Sequence, residues 1–537
     1  MRKRGKEKTP FLFTDVLIIG SGIAGSTTAI QLADKKIKTI LLTNSSDPKE
    51  SNTKYAQGGI IYKGQGDPSL LEKDIFLAGA KVGNKKAIKI LAEEGPKCVE
   101  EILIKKIGVK FTKNKKGNLH LTKEAAHSTR RIAHVYDETG KEIEESFIKK
   151  IKTNTYVNLL TNHTLIDLIT IPHHLKKPSS KDNKNTCVGA YLLNNKTSEV
   201  ITIISKIIVV ATGGIGQVFL RTANSCVAKG DGIYSAFRAG AKIKDMEFVQ
   251  FHPTSLFHKD VDNLLISEAT RGEGGKLKNK KGYMFMNKVD KRGSLAPRDI
   301  VTRSIFTELI NTGEKYVLLD LHSYIKRDEI KKKFPHINNI CLKYGIDITK
   351  ESIPIAPTAH FFCGGINVDS FGRTNIKNLF AIGECSCTGI HGANRLASTS
   401  LLECLVWGNR CAQKIIKNIN KNKLLGPKII RHWVYTHKEE EIDPALIEQD
   451  WTTIKSIMWN YVGIIRTPKR LKRAIKDLMY LQYRINSFYK DNLISEKVVG
   501  LRNGVGVALL IAKAAFKNKK SRGSHYIIKK YSDIKNI

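Results

Sequence analysis

The sequence predicts an α/β fold built on a parallel sheet, with an inserted α+β segment and a helical C-terminal part. Three observations indicate this class. The apolar run Val16–Ile19 leads directly into the glycine-rich stretch Gly20–Gly25. Two later apolar runs, Ile201–Val210 and Leu379–Ile382, also lead into glycines. From about Leu425 onward the pattern becomes helical and charged. Strands that end in glycine are typical of a sheet whose carboxyl edge carries a ligand site.

The first strand opens a βαβ unit. A helical pattern follows from Gly25 through Asp34, and a second β-type run covers Lys38–Thr43. The glycines between strand and helix have the GxGxxG spacing. In that motif the first glycine makes the tight turn, the second admits a pyrophosphate, and the third lets helix and strand pack closely. We therefore expect a Rossmann-like domain that binds a dinucleotide. The residues of this turn are Gly20, Ser21, Gly22, Ile23, Ala24 and Gly25.

Two further stretches indicate which dinucleotide is bound. The second strand ends in Leu42-Thr43-Asn44, at the point where a carboxylate usually holds the adenosine ribose. Asn44 can hydrogen-bond the ribose less strongly, and no arginine is present there to favour NADP. The polar, glycine-rich loop Asn52–Gly59 suits the wrapping of a flavin, which favours FAD.

The three strand-to-glycine junctions lie far apart in the chain, so we predict one nucleotide-binding domain interrupted by an insertion. A chain of 537 residues is long enough for several structural units. The predicted domains are an FAD-binding domain in two segments, residues 1–246 and 361–424, a capping domain, residues 247–360, and a C-terminal helical domain, residues 425–537.

The net charge of +40 is the one extreme feature of the composition. Clustered Lys and Arg can indicate nucleic-acid binding. Here the lysines are scattered among Ile and Asn without interleaved aromatic residues, as in Lys113–Lys116 and Lys517–Lys520. A solvated basic surface explains them better, so nucleic-acid binding is only a distant alternative.

Cysteine usage and hydropathy indicate a cytoplasmic protein. The nine cysteines include no CxxC pair, so neither a disulfide framework nor a metal site is indicated. The basic start Met1–Lys8 and apolar Phe11–Phe13 are similar to a signal peptide, but Asp15 and the following glycine-rich turn break that pattern. We expect no membrane span, since no uninterrupted apolar run approaches the ~18 residues required.

Several polar motifs lie on predicted loops and carry cations, histidines and hydroxyls. Taken singly, a histidine is more often packed or solvated than a ligand, and Arg298-Asp299 can be a surface ion pair. Together they resemble, in order and in wording, the flavoprotein superfamily of succinate dehydrogenase, fumarate reductase and L-aspartate oxidase. The motifs are Phe251–Thr254, Ser267–Gly274, Pro297–Asp299, His360 and His391–Arg395.

The resemblance runs from about Asp15 to Arg473 and includes Met458–Arg466 in the helical part. It implies a bound FAD. Asn44 stands where the oxidase branch commonly has lysine. The implied FAD contacts are Ser21, Gly22, Ile23, Ala24, Asn52, Thr53, Lys54, Tyr55, Ala56, Gln57, Gly58, Gly59, Asp231, Glu384, Ser400 and Leu401.

The resemblance also implies a site for a C4 dicarboxylate, which needs cations and neutral donors at both ends. Arg298 is implied as the proton-transferring residue, although an arginine normally stays protonated, so we treat it first as an electrostatic clamp. Glu268 and Arg271, spaced i and i+3, could form its relay. Ser267 replaces a threonine usual in relatives and keeps the hydroxyl. The implied carboxylate ligands are His252, Ser267, His360 and Arg395, with Ser398 close by.

Two departures from the succinate branch favour an amino acid substrate. That branch attaches FAD through a histidine where this chain has Asn52, so FAD should be non-covalent. Glu124 takes the place of a phenylalanine of that branch. A carboxylate beside a dianion is repulsive unless the substrate carries a cation, as aspartate does. The other interpretation is that Glu124 is a solvated surface charge.

The expected function is FAD-dependent oxidation of L-aspartate to iminoaspartate, with O2, which gives H2O2, or fumarate as electron acceptor. This is the first step of de novo NAD biosynthesis, and a complex with quinolinate synthase stays open. The alternative is a flavoprotein subunit of succinate dehydrogenase or fumarate reductase, which would differ in FAD attachment and in dependence on an iron–sulfur partner.

Overall fold

A computed structural model describes residues 10–124, 126–176, 185–260, 264–435 and 442–536. The basic start Met1–Lys8 therefore lies outside the described residues. The strands are β1 (Phe11–Ile19), β2 (Thr39–Leu42), β3 (Ile60–Ile61), β4 (Leu121–Thr122), β5 (Ile132–Ala133), β6 (Val157–Leu160), β7 (His163–Thr170), β8 (Cys187–Asn194), β9 (Val200–Val210), β10 (Ile243–Lys244), β11 (Val249–Leu256), β12 (Lys276–Lys278), β13 (Val317–Asp320), β14 (Ile353–Phe362), β15 (Gly365–Asn367), β16 (Leu379–Ala381) and β17 (Ser386–Cys387).

Helices cover both faces of the central sheet and build the C-terminal part. They are α1 (Ile23–Ala33), α2 (Ser69–Ala78), α3 (Lys85–Cys98), α4 (Thr139–Lys152), α5 (Ile171–His174), α6 (Asp231–Arg238), α7 (Ala269–Gly272), α8 (Met286–Val289), α9 (Arg298–Thr312), α10 (Arg327–Lys333), α11 (Pro335–Lys343), α12 (Thr399–Asn418), α13 (Pro444–Val462), α14 (Pro468–Asp491) and α15 (Glu496–Lys517). α3 continues as a wider π-helical segment, Val99–Ile107.

The central sheet has seven strands in the order β6-β2-β1-β9-β8-β7, with β16 also paired to β9. β1 pairs in parallel with β2 and with β9, and β9 pairs in parallel with β16. In register, Ile19 lies beside Val210, and Val210 lies beside Ala381. The carboxyl ends of β1, β9 and β16 therefore meet at one edge, which confirms that the three predicted strand-to-glycine junctions belong to one nucleotide-binding sheet.

A second, antiparallel sheet has the order β11-β14-β13-β12 and belongs to the inserted segment. Its own hydrophobic core includes Ile266, Val301, Ile305 and Leu319, all buried. The pairing of β11 with β14 is irregular near His252, where the register shifts before Ser255. The sheet lies over the carboxyl edge of the central sheet, so the predicted α+β cap is present. The residue boundaries of the domains stay a prediction.

Three long helices form the C-terminal part, and local capping explains where each begins. The Asp443, Thr467 and Ser495 side chains accept backbone N–H groups at the starts of α13, α14 and α15. Proline occupies the first helical position of both α13 and α14, where its missing N–H has no helical partner in any case. The C-terminal part of the chain is therefore helical, as predicted.

α15 is the one helix within the described residues that is long and apolar enough to cross a membrane, with a mean hydropathy of 1.5. It packs against α13, α14 and α6. Of its most apolar 18-residue window, 83% is buried inside the protein. That degree of burial is the property of a core helix.

Candidate active site

A single large cavity follows the carboxyl edge of the central sheet and continues beneath the cap. Its empty volume is about 1600 Å³, counting the open mouth. At one end it is lined by the Gly20–Ala24 turn and by Asn44. At the other end it is lined by Glu124, His252 and Arg298. Most of the residues predicted for a cofactor and for a substrate thus line one continuous space.

The glycine turn brings backbone close to this space. A Cβ atom on Gly20, whose φ is +119°, would lie 2.1 Å from the Ala211 carbonyl oxygen. A Cβ on Gly25 would lie 2.0 Å from the Gly20 carbonyl oxygen. Any side chain at either position would separate the helix from the strand, as the motif predicts. Gly22 lines the cavity itself, beside Thr53.

Several buried polar atoms on the cavity wall have no partner within the described part of the chain. They include Ser51 Oγ, Gln57 Oε1 and Thr212 Oγ1. Gly213, at φ +73°, has only the Asn52 side chain near the position of a Cβ, so the wall is open there. Buried polar groups normally find hydrogen-bond partners. An elongated cofactor rich in such groups, as FAD is, fits this wall.

Asn52, at the position of the covalent histidine in the succinate branch, is fully engaged by its neighbours. Its Nδ2 donates to Glu384 Oε2 at 2.8 Å, and its Oδ1 accepts from the Ser225 N–H at 2.9 Å. Burial raises the pKa of Glu384 to about 7, although the Asn52 bond opposes the rise. An amide cannot attach a flavin covalently, so FAD bound here is held by non-covalent contacts.

The C-terminal helices reach the cofactor region through Asp231, which lines the cavity at the start of α6. Asn503 Nδ2 in α15 donates to Asp231 Oδ1 at 2.9 Å. Burial raises the pKa of Asp231, and Lys229 and Asn503 oppose the rise. The helical part therefore fixes the orientation of a carboxylate that the resemblance assigns to FAD binding.

Two neutral histidines lie at the substrate end. His252 in β11 and His360 in β14 stack edge to face with ring centres 5.1 Å apart. Burial lowers the pKa of both rings well below the usual value, and nearby arginines lower it further. His360 Nε2 lies 2.8 Å from Arg395 Nη2. Because arginine can only donate, His360 Nε2 accepts, and its Nδ1 carries a proton for which the described residues offer no acceptor.

Arg395 is held from three sides. Its Nη1 donates to Ser400 Oγ at 2.8 Å, and its Nε donates to Gln250 Oε1 at 3.3 Å. Its guanidinium lies 4.6 Å from the centre of the Phe361 ring. Burial lowers its pKa to about 10, which leaves the group charged near neutral pH. Arg395 is therefore a fixed cation in the cavity wall.

Arg298, Glu268 and Arg271 form a buried ion-pair chain. Arg298 Nε donates to Glu268 Oε2, and Arg271 Nη2 lies 3.5 Å from Glu268 Oε1. Burial raises the pKa of Glu268, but the two arginines outweigh this effect and keep its pKa below the usual value. Burial lowers the pKa of Arg298, but Glu268 and Glu124 more than offset the loss. Arg298 thus stays protonated in the resting site, as an electrostatic clamp requires.

Glu124 lies in the loop between β4 and β5 and lines the cavity, which decides against a solvated surface charge. Ser398 Oγ donates to Glu124 Oε2 at 2.8 Å. A Cβ on Gly58 would lie only 2.2 Å from Glu124 Oε1, so the loop Asn52–Gly59 packs directly on the carboxylate. Burial raises the pKa of Glu124; Arg298 opposes the rise and Glu268 adds to it. A carboxylate therefore stands among the cations of the site.

Three predicted residues do not line the cavity. Gly25 packs helix against strand, as described above. Lys54 Nζ lies 3.2 Å from Glu50 Oε2 and 3.8 Å from Asp47 Oδ2. Arg271 lies behind Glu268 and donates from Nη1 to the Ser294 carbonyl at 2.7 Å. A direct FAD contact of Lys54 and a direct substrate contact of Arg271 are therefore not part of this geometry.

The other predicted residues line the cavity, and the wall includes further residues that sequence reasoning missed. Thr212 and Gly213 lie at the strand-to-glycine junction after Val210. Their position at the end of a strand could have identified them as wall residues. The remaining residues carry no local motif. Among them are Glu50, Ser51, His163, Thr164, Leu165, Asn224, Leu265 and Phe361.

A dinucleotide-binding sheet whose cavity continues into a cluster of buried arginines and histidines is the arrangement of a flavin-dependent oxidoreductase. The FAD binding domain family matches residues 15–401, and the Fumarate reductase flavoprotein C-term family matches residues 451–529. The chain therefore belongs to a superfamily of FAD-dependent flavoproteins. These matches confirm the predicted cofactor and superfamily.

Two curated relatives illustrate the family. The chain is 41% identical to L-aspartate oxidase of Yersinia pestis, with 97% of each chain covered. It is 40% identical to L-aspartate oxidase of Acinetobacter baylyi, with 96% of this chain and 93% of the relative covered. The chain therefore belongs to the L-aspartate oxidase family of FAD-dependent flavoproteins.

Solved structures with the same fold come from the wider superfamily. One is an E. coli quinol fumarate reductase, with a TM-score of 0.86, 25% identity, and 97% of this chain and 92% of the other covered. Another is Sdh1 of Mycobacterium smegmatis, with a TM-score of 0.78, 28% identity, and 96% and 89% covered. The similarity includes the cap and the helical part, which agrees with the predicted fold class.

Proposed function

We propose that this chain oxidises L-aspartate to iminoaspartate, and that Glu124 is the residue through which its site accepts an amino acid. The single observation that carries the proposal is the Glu124 carboxylate in the same cavity as Arg298 and Arg395. A plain dicarboxylate has nothing to pair with that carboxylate. The α-ammonium of aspartate is a cation that can pair with the Glu124 carboxylate.

The substrate carboxylates are bound at two points. Arg395 and the Nδ1–H of His360 bind one carboxylate, and Ser267 and His252 bind the other. Neutral histidines suit this role because they donate hydrogen bonds without adding further positive charge to a site that already contains two arginines. Buried, prearranged donors lose little freedom when the substrate binds.

Bound FAD supplies the hydride acceptor, which takes two electrons and the hydrogen of the substrate Cα. The α-ammonium loses a proton as the C=N bond forms. The raised pKa of Glu124 suits it to hold the ammonium and to take this proton. Arg298 stays charged during the step and stabilises the adjacent substrate carboxylate.

In the direction of fumarate reduction, Arg298 donates a proton to the substrate carbon and is reprotonated through Glu268. The hydrogen bond from Arg298 Nε to Glu268 Oε2 supports this order of transfer. Arg271 lies next to Glu268 Oε1, and its positive charge favours the ionised form of Glu268. The same ion-pair chain thus serves as a clamp for aspartate and as a proton route for fumarate.

Molecular oxygen, which gives hydrogen peroxide, and fumarate are the proposed electron acceptors. The reaction is the first step of de novo NAD biosynthesis, in which the product is consumed by quinolinate synthase. We place the enzyme in the cytoplasm, and a complex with quinolinate synthase is a partner to test rather than a requirement.

The deciding experiment mixes the purified FAD-loaded protein anaerobically with L-aspartate or with succinate and follows the visible flavin absorbance. Bleaching by aspartate alone is expected. Bleaching by succinate alone would refute the proposal and assign the chain to the succinate dehydrogenase and fumarate reductase branch. Denaturation in acid should release all the flavin, because Asn52 cannot bind it covalently.

A further inference from the structure

The segment that carries Glu124 is a short hairpin, formed by β4, β5 and the described residues between them, 123–124 and 126–131, and named here the Glu124 hairpin. Its loop contains Ala126, whose φ of +65° lies in the left-handed region. An alanine in that conformation costs roughly 1–2 kcal/mol relative to the right-handed region. The hairpin does not adopt this shape by its own preference, so neighbouring elements must hold it.

One holding residue is Asp74, which belongs to α2, does not line the cavity and is only 4% exposed. Its Oδ2 accepts the Ser128 N–H at 2.8 Å, and its Oδ1 accepts the Ser128 hydroxyl at 2.5 Å. Oδ2 also accepts Arg131 Nη1 at 2.8 Å. A single buried carboxylate thus makes three hydrogen bonds to the Glu124 hairpin.

Arg131 makes this attachment rigid. Its side chain is fully buried and lies between Asp74 and Asp67, with its Nη2 3.1 Å from Asp67 Oδ1. Removal of one partner from a buried charge pair is strongly unfavourable because the other charge remains buried. The hairpin therefore cannot shift without separating the buried Arg131 from its two carboxylates.

Bonds inside the hairpin transmit this attachment to Glu124. Lys123 Nζ donates to the Ser128 carbonyl, and the His127 N–H donates to the Glu124 carbonyl, both at 3.3 Å. On the far side, the His127 ring nitrogen Nε2 lies 3.1 Å from the Ala397 carbonyl. The loop is thus fixed between α2 on one side and the start of α12 on the other.

We infer that Asp74 is a positioning residue for substrate choice: it holds the Glu124 hairpin where the carboxylate meets the α-ammonium of an amino dicarboxylate. This inference rests on the proposed function. It adds that the preference for an amino acid over a plain dicarboxylate is set partly by a contact outside the cavity. Fumarate has no ammonium, so its reduction does not require the hairpin to hold Glu124 in this position.

The mild test is Ser128→Ala, because Ser128 is exposed and the change removes only one of its two bonds to Asp74. We expect the KM for aspartate to rise by up to about tenfold, because the whole contribution of one hydrogen bond to a charged group is the most that its loss can take from the position of the hairpin that binds substrate. The kcat for fumarate reduction should stay within about twofold of the wild-type value, because this reaction does not use the ammonium contact. Ser128→Thr keeps the hydroxyl and should restore the KM for aspartate.

Asp74→Asn is the stronger variant, and Asp67→Asn is its matched control. Both remove a charge beside Arg131, but only Asp74 binds Ser128. Asp74→Asn should raise the ratio of fumarate to aspartate turnover, and Asp67→Asn should raise it much less. FAD content and melting temperature, measured for each variant, identify a variant that is simply unfolded.

Three results would overturn the inference. One is an equal loss of aspartate and fumarate turnover in Ser128→Ala. Another is an equal rise in the ratio of fumarate to aspartate turnover in Asp74→Asn and Asp67→Asn. The third is unchanged hydrogen exchange of the Glu124 hairpin amides in Asp74→Asn. If wild-type flavin is not bleached by aspartate, the proposed function fails as well. Bleaching of the wild type with an unchanged substrate ratio in the variants would overturn this inference alone.

Discussion

Glu124→Gln removes one charge from the site and keeps the shape of the side chain. The amide oxygen can still accept the Ser398 hydroxyl, which lies 2.8 Å from Glu124 Oε2. The interaction lost is the attraction between a carboxylate and an ammonium. Two unit charges about 4 Å apart attract by roughly 4 kcal/mol at an effective dielectric constant of about 20, before the cost of desolvation.

A hydrogen bond to a charged group contributes a net stabilisation of about 1.5–3 kcal/mol. The kcat/KM for aspartate should therefore fall by roughly 10-fold to 150-fold. Fumarate carries no ammonium, and Glu124 repels its carboxylates, so fumarate reduction should be unchanged or faster. The proposed role requires a loss of aspartate turnover without a loss of fumarate turnover.

The pH dependence gives a second readout. Burial raises the pKa of Glu124; Arg298 opposes the rise and Glu268 adds to it. Aspartate binding needs the ionised carboxylate, so kcat/KM for aspartate should fall as the pH is lowered through this raised pKa. The acid limb should be absent in Glu124→Gln because the amide does not titrate.

The assay follows anaerobic flavin reduction by aspartate and fumarate-dependent reoxidation of the reduced enzyme. Glu93→Gln is a matched control, because the same chemical change is made at an exposed carboxylate that pairs with Lys89. It should leave both reactions unchanged. Equal losses for aspartate and fumarate in Glu124→Gln would refute the assigned role.

Three further predictions concern the surroundings of the site. Gly58→Ala should reduce aspartate turnover more than fumarate turnover in the same assay, because its Cβ would lie 2.2 Å from Glu124 Oε1 and would displace the carboxylate; an unchanged ratio would contradict this. Ala126→Gly should leave the free energy of unfolding unchanged or raise it by about 1 kcal/mol, since glycine tolerates a φ of +65°; a clear loss in urea denaturation would speak against a left-handed Ala126. Burial raises the folded-state pKa of Glu384 from 4.5 to about 7, so the folded protein without FAD binds the extra proton, and its stability should fall by up to about 3 kcal/mol as the pH rises between these values. Glu384→Gln should remove that part of the pH dependence, which denaturation of both proteins at about pH 5 and about pH 8 would measure.

The sequence identified those parts of the site whose chemistry is local. A strand followed by GxGxxG and a helix is decided within about 30 residues, because the motif specifies backbone conformation directly. The glycines after Ile19, Val210 and Ile382 predicted one shared edge, and the strand pairings confirm it. The FAD-binding sheet could therefore be predicted before any tertiary structure was known.

Glu124 shows where local information ends. The sequence marked it as a departure from the succinate branch but left open whether it is a surface charge. Its partner Ser398 is 274 residues away in the chain. Lys54 illustrates the opposite outcome, since a residue within the flavin loop pairs with Glu50 and does not line the cavity. Position within a motif does not specify where a side chain lies.

The sequence by itself determined the nucleotide-binding unit, the order of the domains and the kind of chemistry, because short patterns encode backbone conformation and residue type. Only the tertiary structure decided that Asp74 holds the Glu124 hairpin, that Asn503 orients Asp231 across 272 residues, and that Arg271 lies behind Glu268. No local pattern marks Asp74 or Asn503, and the spacing of Glu268 and Arg271 does not specify which of them faces the cavity. Their roles depend on which elements pack against one another, and that packing is decided by the burial of apolar faces along the whole chain.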